Sequence, residues 1–187
     1  MGSLPQLDYG LLIAFFFPGF VGLYAFSYLS QRIAQVFDAV LSKDQSVGAS
    51  FLVLVGSLIV GMVLSSIRAL VLDWLHDKTG AAIDELDYSK LSDKEKLAAF
   101  QQAIVNTYRY YQFYGNMVLS LLLLAVIRFM FIGFGAPHAK TLWAVNLLAM
   151  VVLFVHSRYS RRDTNRILHQ ILAGDKDAGQ EASKEKD

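Results

Sequence analysis

The chain has 187 residues, 55% of them hydrophobic and 18% charged, with a formal net charge of +1 and no cysteine. A soluble domain of this size has too little interior to hide so much apolar surface. The charge balance supplies no global field for nucleic acid, and the absence of cysteine excludes disulfides, thiolate metal sites and thiol nucleophiles.

Four stretches are too apolar for water: Gly10–Leu29, Val47–Trp74, Met117–Phe134 and Thr141–His156. Each is about long enough to cross a ~30 Å hydrocarbon layer at ~1.5 Å per helical residue. The expected fold is therefore all-α, an integral membrane four-helix bundle. Residues 1–8 have neither a basic n-region nor a small-residue cleavage site. The first span is thus expected to stay in the protein instead of serving as a signal peptide.

Span one contains Phe15-Phe16-Phe17-Pro18-Gly19-Phe20. Proline removes a backbone donor and glycine loosens the helix, so a kink is expected near Phe17, either for packing or as a gating hinge. Ile33, Val36, Phe37, Val40 and Leu41 then recur at helical spacing opposite Gln31, Arg32, Gln35, Asp38 and Ser42. This is an amphipathic helix that either lies in the outer interface or extends span one. Span two places Ser57, Gly61 and Ser65 at four-residue steps. Small residues so spaced let helix backbones approach closely, within one subunit or between subunits. Arg68, near the end of this span, has Asp8 and Asp73 as candidate partners in an ion pair.

The loop Asp77–Leu91 is polar, and Ser92-Asp93-Lys94-Glu95 reads as a capping box. The helix it opens carries Leu97, Phe100, Ile104, Tyr108, Tyr111 and Tyr114 along one stripe, with Gly115 as the sole breaker before span three. A nearly continuous helix of about 40 residues and about 60 Å follows. Gly135-Ala136-Pro137-His138 reads as a tight turn. Span four is expected to continue as Arg158–Ala173, with Ile167, Leu168, Ile171 and Leu172 as its apolar stripe, and to stop at Gly174. The charged tail Asp175–Asp187 is expected to be disordered. The expected units are 1–74 (first hairpin with the amphipathic helix), 75–116 (cytosolic loop and helix), 117–157 (second hairpin), 158–174 (cytosolic extension) and 175–187 (tail).

Charge sets the orientation. Twelve Lys and Arg residues lie in 76–115 and 158–187, against three, Arg32, Lys43 and Lys140, in the two opposite loops. The positive-inside rule places both termini on the cytoplasmic side of the membrane.

Arg128 lies about twelve residues past Asn116, or ~18 Å into the membrane. A charge at that depth costs ~2.5 kcal/mol or more unless it snorkels or pairs. Tyr24, Ser27 and Asn146 fall at matching depth, so the four form a candidate polar cluster. In one reading Arg128 snorkels to the surface; in the other it faces a water-filled pore. Tyr108, Tyr110, Tyr111, Phe113 and Tyr114 with Arg109 form either an aromatic belt or a tyrosine-lined pocket for a planar or phosphorylated ligand. Asp73, His76 and Asp77 share a helix face, but one imidazole and two carboxylates make a thin donor set, and no metal or cofactor is expected. Arg158, Arg161 and Arg162 form a juxtamembrane basic cluster suited to anionic lipid headgroups, or to an acidic partner. No G-x-S-x-G, H-E-x-x-H, P-loop or paired intramembrane carboxylate is present, so no catalysis is expected.

The plan of four spans, a long cytosolic helix between spans two and three, and a basic helical tail resembles the small membrane subunits of bacterial antiphage systems, such as Kiwa-type membrane components. That resemblance implies an antiviral setting in a bacterial inner (cell) membrane. Together these features suggest a homo-oligomeric pore (an ion channel) or membrane-perturbing effector. The alternative is a non-conducting anchor or sensor that docks a cytosolic protein through Leu97, Phe100, Ile104, Tyr108 and Tyr111 with Ile167 and Leu168. In either case the lipid bilayer is a partner and nucleic acid is not.

Overall fold

The computed structural model describes residues 9–42, 46–80, 89, 94–133 and 139–173. The elements among them are all helical: α1 (Tyr9–Ser27), α2 (Gln31–Leu41), α3 (Val47–Lys78), α4 (Lys94–Ala103), α5 (Arg109–Ile132) and α6 (Ala139–Ala173). A π-helical turn, Ile104–Tyr108, joins α4 to α5. α3, α5 and α6 are each long and apolar enough to cross a membrane, and α1 with α2, bent by 120° where they meet, is a fourth candidate. These helices are compatible with a membrane protein. Asp8, most of the loop 77–91, the Ser92 cap, the turn 135–138, Gly174 and the tail 175–187 lie outside the described residues.

Side-chain pairings fix the helix directions. Asn116 and Ser120 of α5 reach Ala14 and Pro18 of α1, so these two run parallel. Gly19 and Phe15 of α1 meet Ser57 and Gly61 of α3 in reverse order. Tyr114 lies beside His156 and Phe129 beside Trp143, so α5 and α6 are antiparallel. The four long helices therefore alternate in direction.

The closest approach is between α1 and α3. A Cβ on Gly19 would stand 1.7 Å from the Ser57 carbonyl oxygen, and one on Gly61 would stand 2.0 Å from that of Phe15. Ser57 and Gly61 are thus consumed by packing inside one chain, not by a subunit contact, and Ser65 is half-buried beside them. Small residues permit this contact because they let two backbones touch.

Pro18 is buried within α1 and has no N–H to give the Ala14 carbonyl one turn earlier. Asn116 Nδ2 donates to that carbonyl at 3.0 Å, and Ser120 Oγ donates to the Pro18 carbonyl at 2.7 Å. The helix that lost a donor is repaired by its neighbour, as apolar surroundings require.

α2 does not continue the line of α1 but turns by 120° from it. It folds back and buries Phe37 against Phe20 and Tyr24, with ring centroids 5.6 and 5.7 Å away. The helical path from Lys94 to Ile132 is unbroken, as the apolar stripe suggested. Its irregularity falls at 104–108, not at Gly115. Gly115 instead lies within α5, where a Cβ would come within 2.6 Å of Arg68 Cδ. The π turn disturbs the backbone pairing, and Ser160 Oγ of α6 donates to the Thr107 carbonyl at 3.1 Å.

α6 runs for 35 residues, so span four and its extension form one helix. Its lower part packs on α4 and the π turn, and Ala103, Leu168 and Leu172 are buried there. Leu168, expected to dock a partner, is thus covered by the chain itself. The apolar part of α6 is the reverse case, with only 6% of its span buried within the chain. The core gathers Leu64, Leu72, Val118 and Leu119, with Leu153 and Phe154 against it.

Candidate functional site

The densest polar cluster stands where α3 ends, α5 begins and α6 passes. Arg68 and Asp73 lie five residues apart on α3, and Nη1 of the arginine pairs with Oδ1 of the aspartate at 2.6 Å. The Arg68 stem reaches Asp73 across Gly115, which has no side chain to block it. Tyr111 of α5 donates its hydroxyl to the same carboxylate oxygen. Arg161 of α6 adds Nη1 to Asp73 at 3.3 Å and to the Tyr111 hydroxyl at 2.8 Å, while its Nη2 pairs with Asp77 at 2.5 Å. The two guanidinium carbons lie 4.7 and 5.4 Å from the centroid of the Tyr111 ring.

Burial explains why these groups interlock. The Arg68 and Arg161 side chains are 3% and 6% exposed. Two guanidiniums so far from water need matching carboxylates. Asp73 and Asp77 supply them, and Tyr111, itself fully buried, offers its ring to both cations. The cluster joins α3, α5 and α6 by charge as well as by packing.

Two expectations change here. Arg161, expected to face lipid headgroups, turns inward to pair with Asp73 and Asp77 of α3. Tyr111, expected on a docking stripe, is the buried centre of the cluster. Arg158 and Arg162 remain peripheral. Arg158 donates to Thr79 Oγ1 at 2.5 Å and to the Thr79 carbonyl, and Arg162 approaches the Gly80 carbonyl at 3.4 Å. Both cations thus sit over the carbonyl end of α3, where a helix favours positive charge.

His76 is fully buried, its ring 5.9 Å from Tyr111 and 5.3 Å from Phe154, with no hydrogen-bond partner on either nitrogen. Asp73, His76 and Asp77 do not converge on a metal position among the described residues. The carboxylates are held by arginines and the imidazole is packed between rings. The aromatic entry to α5 also divides by direction. Tyr110 faces outward, whereas the Tyr114 ring lies tilted beside His156 with centroids 5.6 Å apart. Of the residues of the suggested tyrosine pocket, Tyr111 has both guanidiniums over its ring.

The other suggested cluster is partly assembled. Arg128 and Asn146 line one small pocket with Ala125, Leu142 and Trp143. Tyr24 and Tyr28 share a contact of 3.2 Å between their hydroxyls, and Tyr28 lies within electrostatic reach of Arg128. Ser27 does not join, because its hydroxyl donates to the Tyr24 carbonyl of its own helix at 2.6 Å. Arg128 sits one turn before the end of α5 at Ile132.

On the expected docking stripe, Leu97 is exposed, while Phe100, Ile104, Tyr108 and Ile167 are half-buried between α4, the π turn and α6. Sequence reasoning missed Asn116, Ser120, Ser160 and the inward turn of Arg161. A signal for the last existed: Ser157, Arg161, Thr164 and Leu168 recur at helical spacing, and all four are buried. A scan of protein-family models and searches of curated proteins and solved structures find no match to this chain.

Proposed function

We propose that this chain is a non-catalytic, multi-pass protein of a bacterial inner membrane, with both termini cytoplasmic. In this reading it holds a rigid helical stalk beneath the bilayer for a soluble protein to dock on, in an assembly of several copies. The stalk is α4, the π turn and the lower part of α6. The carrying observation is Arg161, which ties α6 to Asp73 and Asp77 of α3 and to Tyr111 of α5. A clamp at the end of the apolar belt keeps α6 in a fixed direction as it leaves the membrane. Leu97, exposed on α4, is the side chain of the stripe best placed to meet another protein. The resemblance in plan to Kiwa-type membrane components makes an antiphage complex the setting we propose for that partner.

The test is co-purification from the native host. The partner should be lost from Leu97→Asp while the variant keeps its helical content, and an unchanged complex counts against docking through α4. The pore reading drew on Arg128 standing deep in the membrane, and its place one turn from the end of α5 weakens that motive. Ion flux through vesicles holding the wild-type protein, with or without its partner, would restore it.

A further inference from the structure

The grooves between the long helices are walled by apolar side chains, and one of them ends in a charge. Between α5 and α6 runs a groove of about 350 Å³, walled by Leu122, Val126, Phe129, Leu147 and Met150. Trp143 and Asn146 line both this groove and the small pocket that contains Arg128. Among the described residues Arg128 has no hydrogen bond or ion pair. The Asn146 Oδ1 atom is likewise without a partner.

A guanidinium at the edge of a hydrocarbon layer with no counter-charge is costly. It is also a fork of donors that fits the two free oxygens of a phosphodiester. The groove below it extends from Arg128 to Leu122 along α5, about 9 Å of the ~15 Å depth of one leaflet. Trp143 marks the interface at its mouth, as such residues do.

We infer that the α5–α6 groove binds one anionic glycerophospholipid, its phosphate on Arg128 and one acyl chain along Leu122, Val126, Leu147 and Met150. Asn146 Oδ1 offers an acceptor to a headgroup hydroxyl. A zwitterionic lipid is the poorer occupant, because its ammonium group meets the same guanidinium. A second copy of the chain is poorer still: an apolar helix laid on the groove would leave Arg128 uncovered and uncompensated.

The inference rests on the reading that lipid surrounds these helices, and the experiment separates the two. In a Trp74→Phe background Trp143 is the sole tryptophan. The protein is reconstituted in phosphatidylcholine vesicles containing chain-brominated phosphatidylglycerol, or the same fraction of chain-brominated phosphatidylcholine. Quenching of Trp143 should show about threefold to fivefold preference for phosphatidylglycerol, the scale of one arginine at an anionic surface. The preference should fall to near unity in Arg128→Gln. Val126→Phe, which keeps the charge and fills the groove, should also lower it, and serves if Arg128→Gln does not fold. Equal quenching by the two lipids in the wild-type protein overturns the inference, as does a preference that survives both substitutions. Trp143 shielded from both lipids in a dimer overturns it in favour of a second copy. Failure of the protein to enter vesicles at all would instead remove the membrane reading.

Discussion

Replacing Asp73 by asparagine should destabilise the protein far more than the same change at Asp77, although both carboxylates touch Arg161. Asp73 faces two guanidiniums, and Arg68 has no other acid among its described partners. Loss of the Asp73 charge strands Arg68, whose side chain is 3% exposed. Breaking a buried pair in this way costs ~3–5 kcal/mol. The 23% exposure of Asp73 puts the effect at about 3 kcal/mol, the lower end of that range. Asp77 is 48% exposed, and Arg161 keeps Asp73 when Asp77 is neutralised, so Asp77→Asn should cost ~0–1 kcal/mol, as exposed pairs do. The gap of about 2 kcal/mol is roughly thirtyfold in the unfolding equilibrium. Circular dichroism of the detergent-solubilised protein during titration with a denaturing detergent reads it. Arg68→Met added to Asp73→Asn should recover part of the loss, because the stranded cation is gone. Equal midpoints for Asp73→Asn and Asp77→Asn would refute the burial argument.

The remaining expectations concern packing. Asn116→Ala should cost ~1 kcal/mol by leaving the Ala14 carbonyl without a donor, and Pro18→Ala in the same chain should restore most of it by returning the backbone N–H; additive losses in a double-mutant cycle would refute the repair. Gly61→Leu should prevent α1 and α3 from meeting, because even a Cβ, 2.0 Å from the Phe15 carbonyl oxygen, would need about 1 Å of movement to reach 3.0 Å. Gly48→Ala, whose Cβ would find its nearest atom at 3.8 Å, should be tolerated, and the two melting curves in detergent provide the comparison. Ser160→Ala should loosen the π turn by removing the donor to the Thr107 carbonyl, read as faster amide exchange in 104–108.

Long-range apolarity was the most legible property of the sequence. The helices appear where hydropathy and period put them, including the unbroken path from Lys94 to Ile132 and the single α6. The Arg68–Asp73 pair was also within reach, since both residues lie on one helix. Pairings between helices were not, because sequence gives no rotation of one helix about another. Arg161 looked like a headgroup contact because a basic cluster after a span usually is one. Its burial depends on Asp73 and Asp77, eighty-odd residues earlier. Asn116 and Ser120 looked like ordinary polar residues in an apolar helix. Their meaning comes from Pro18, whose missing N–H demands a donor from elsewhere. The fold-back of α2 has no glycine or proline to announce it, since the connection is Tyr28-Leu29-Ser30 with Ser30 extended at φ −132° and ψ 114°.

The central claim is that lipid surrounds these helices, with the stalk on the cytoplasmic side. Because the chain has no cysteine, single cysteines can be placed at Ser42, Lys140, Lys94 and Arg166 without background. A membrane-impermeant maleimide applied to intact spheroplasts should label positions 42 and 140, and should reach 94 and 166 only after lysis. Labelling of position 94 or 166 in intact spheroplasts would contradict the orientation. Recovery of all four variants in the soluble fraction would contradict the membrane itself.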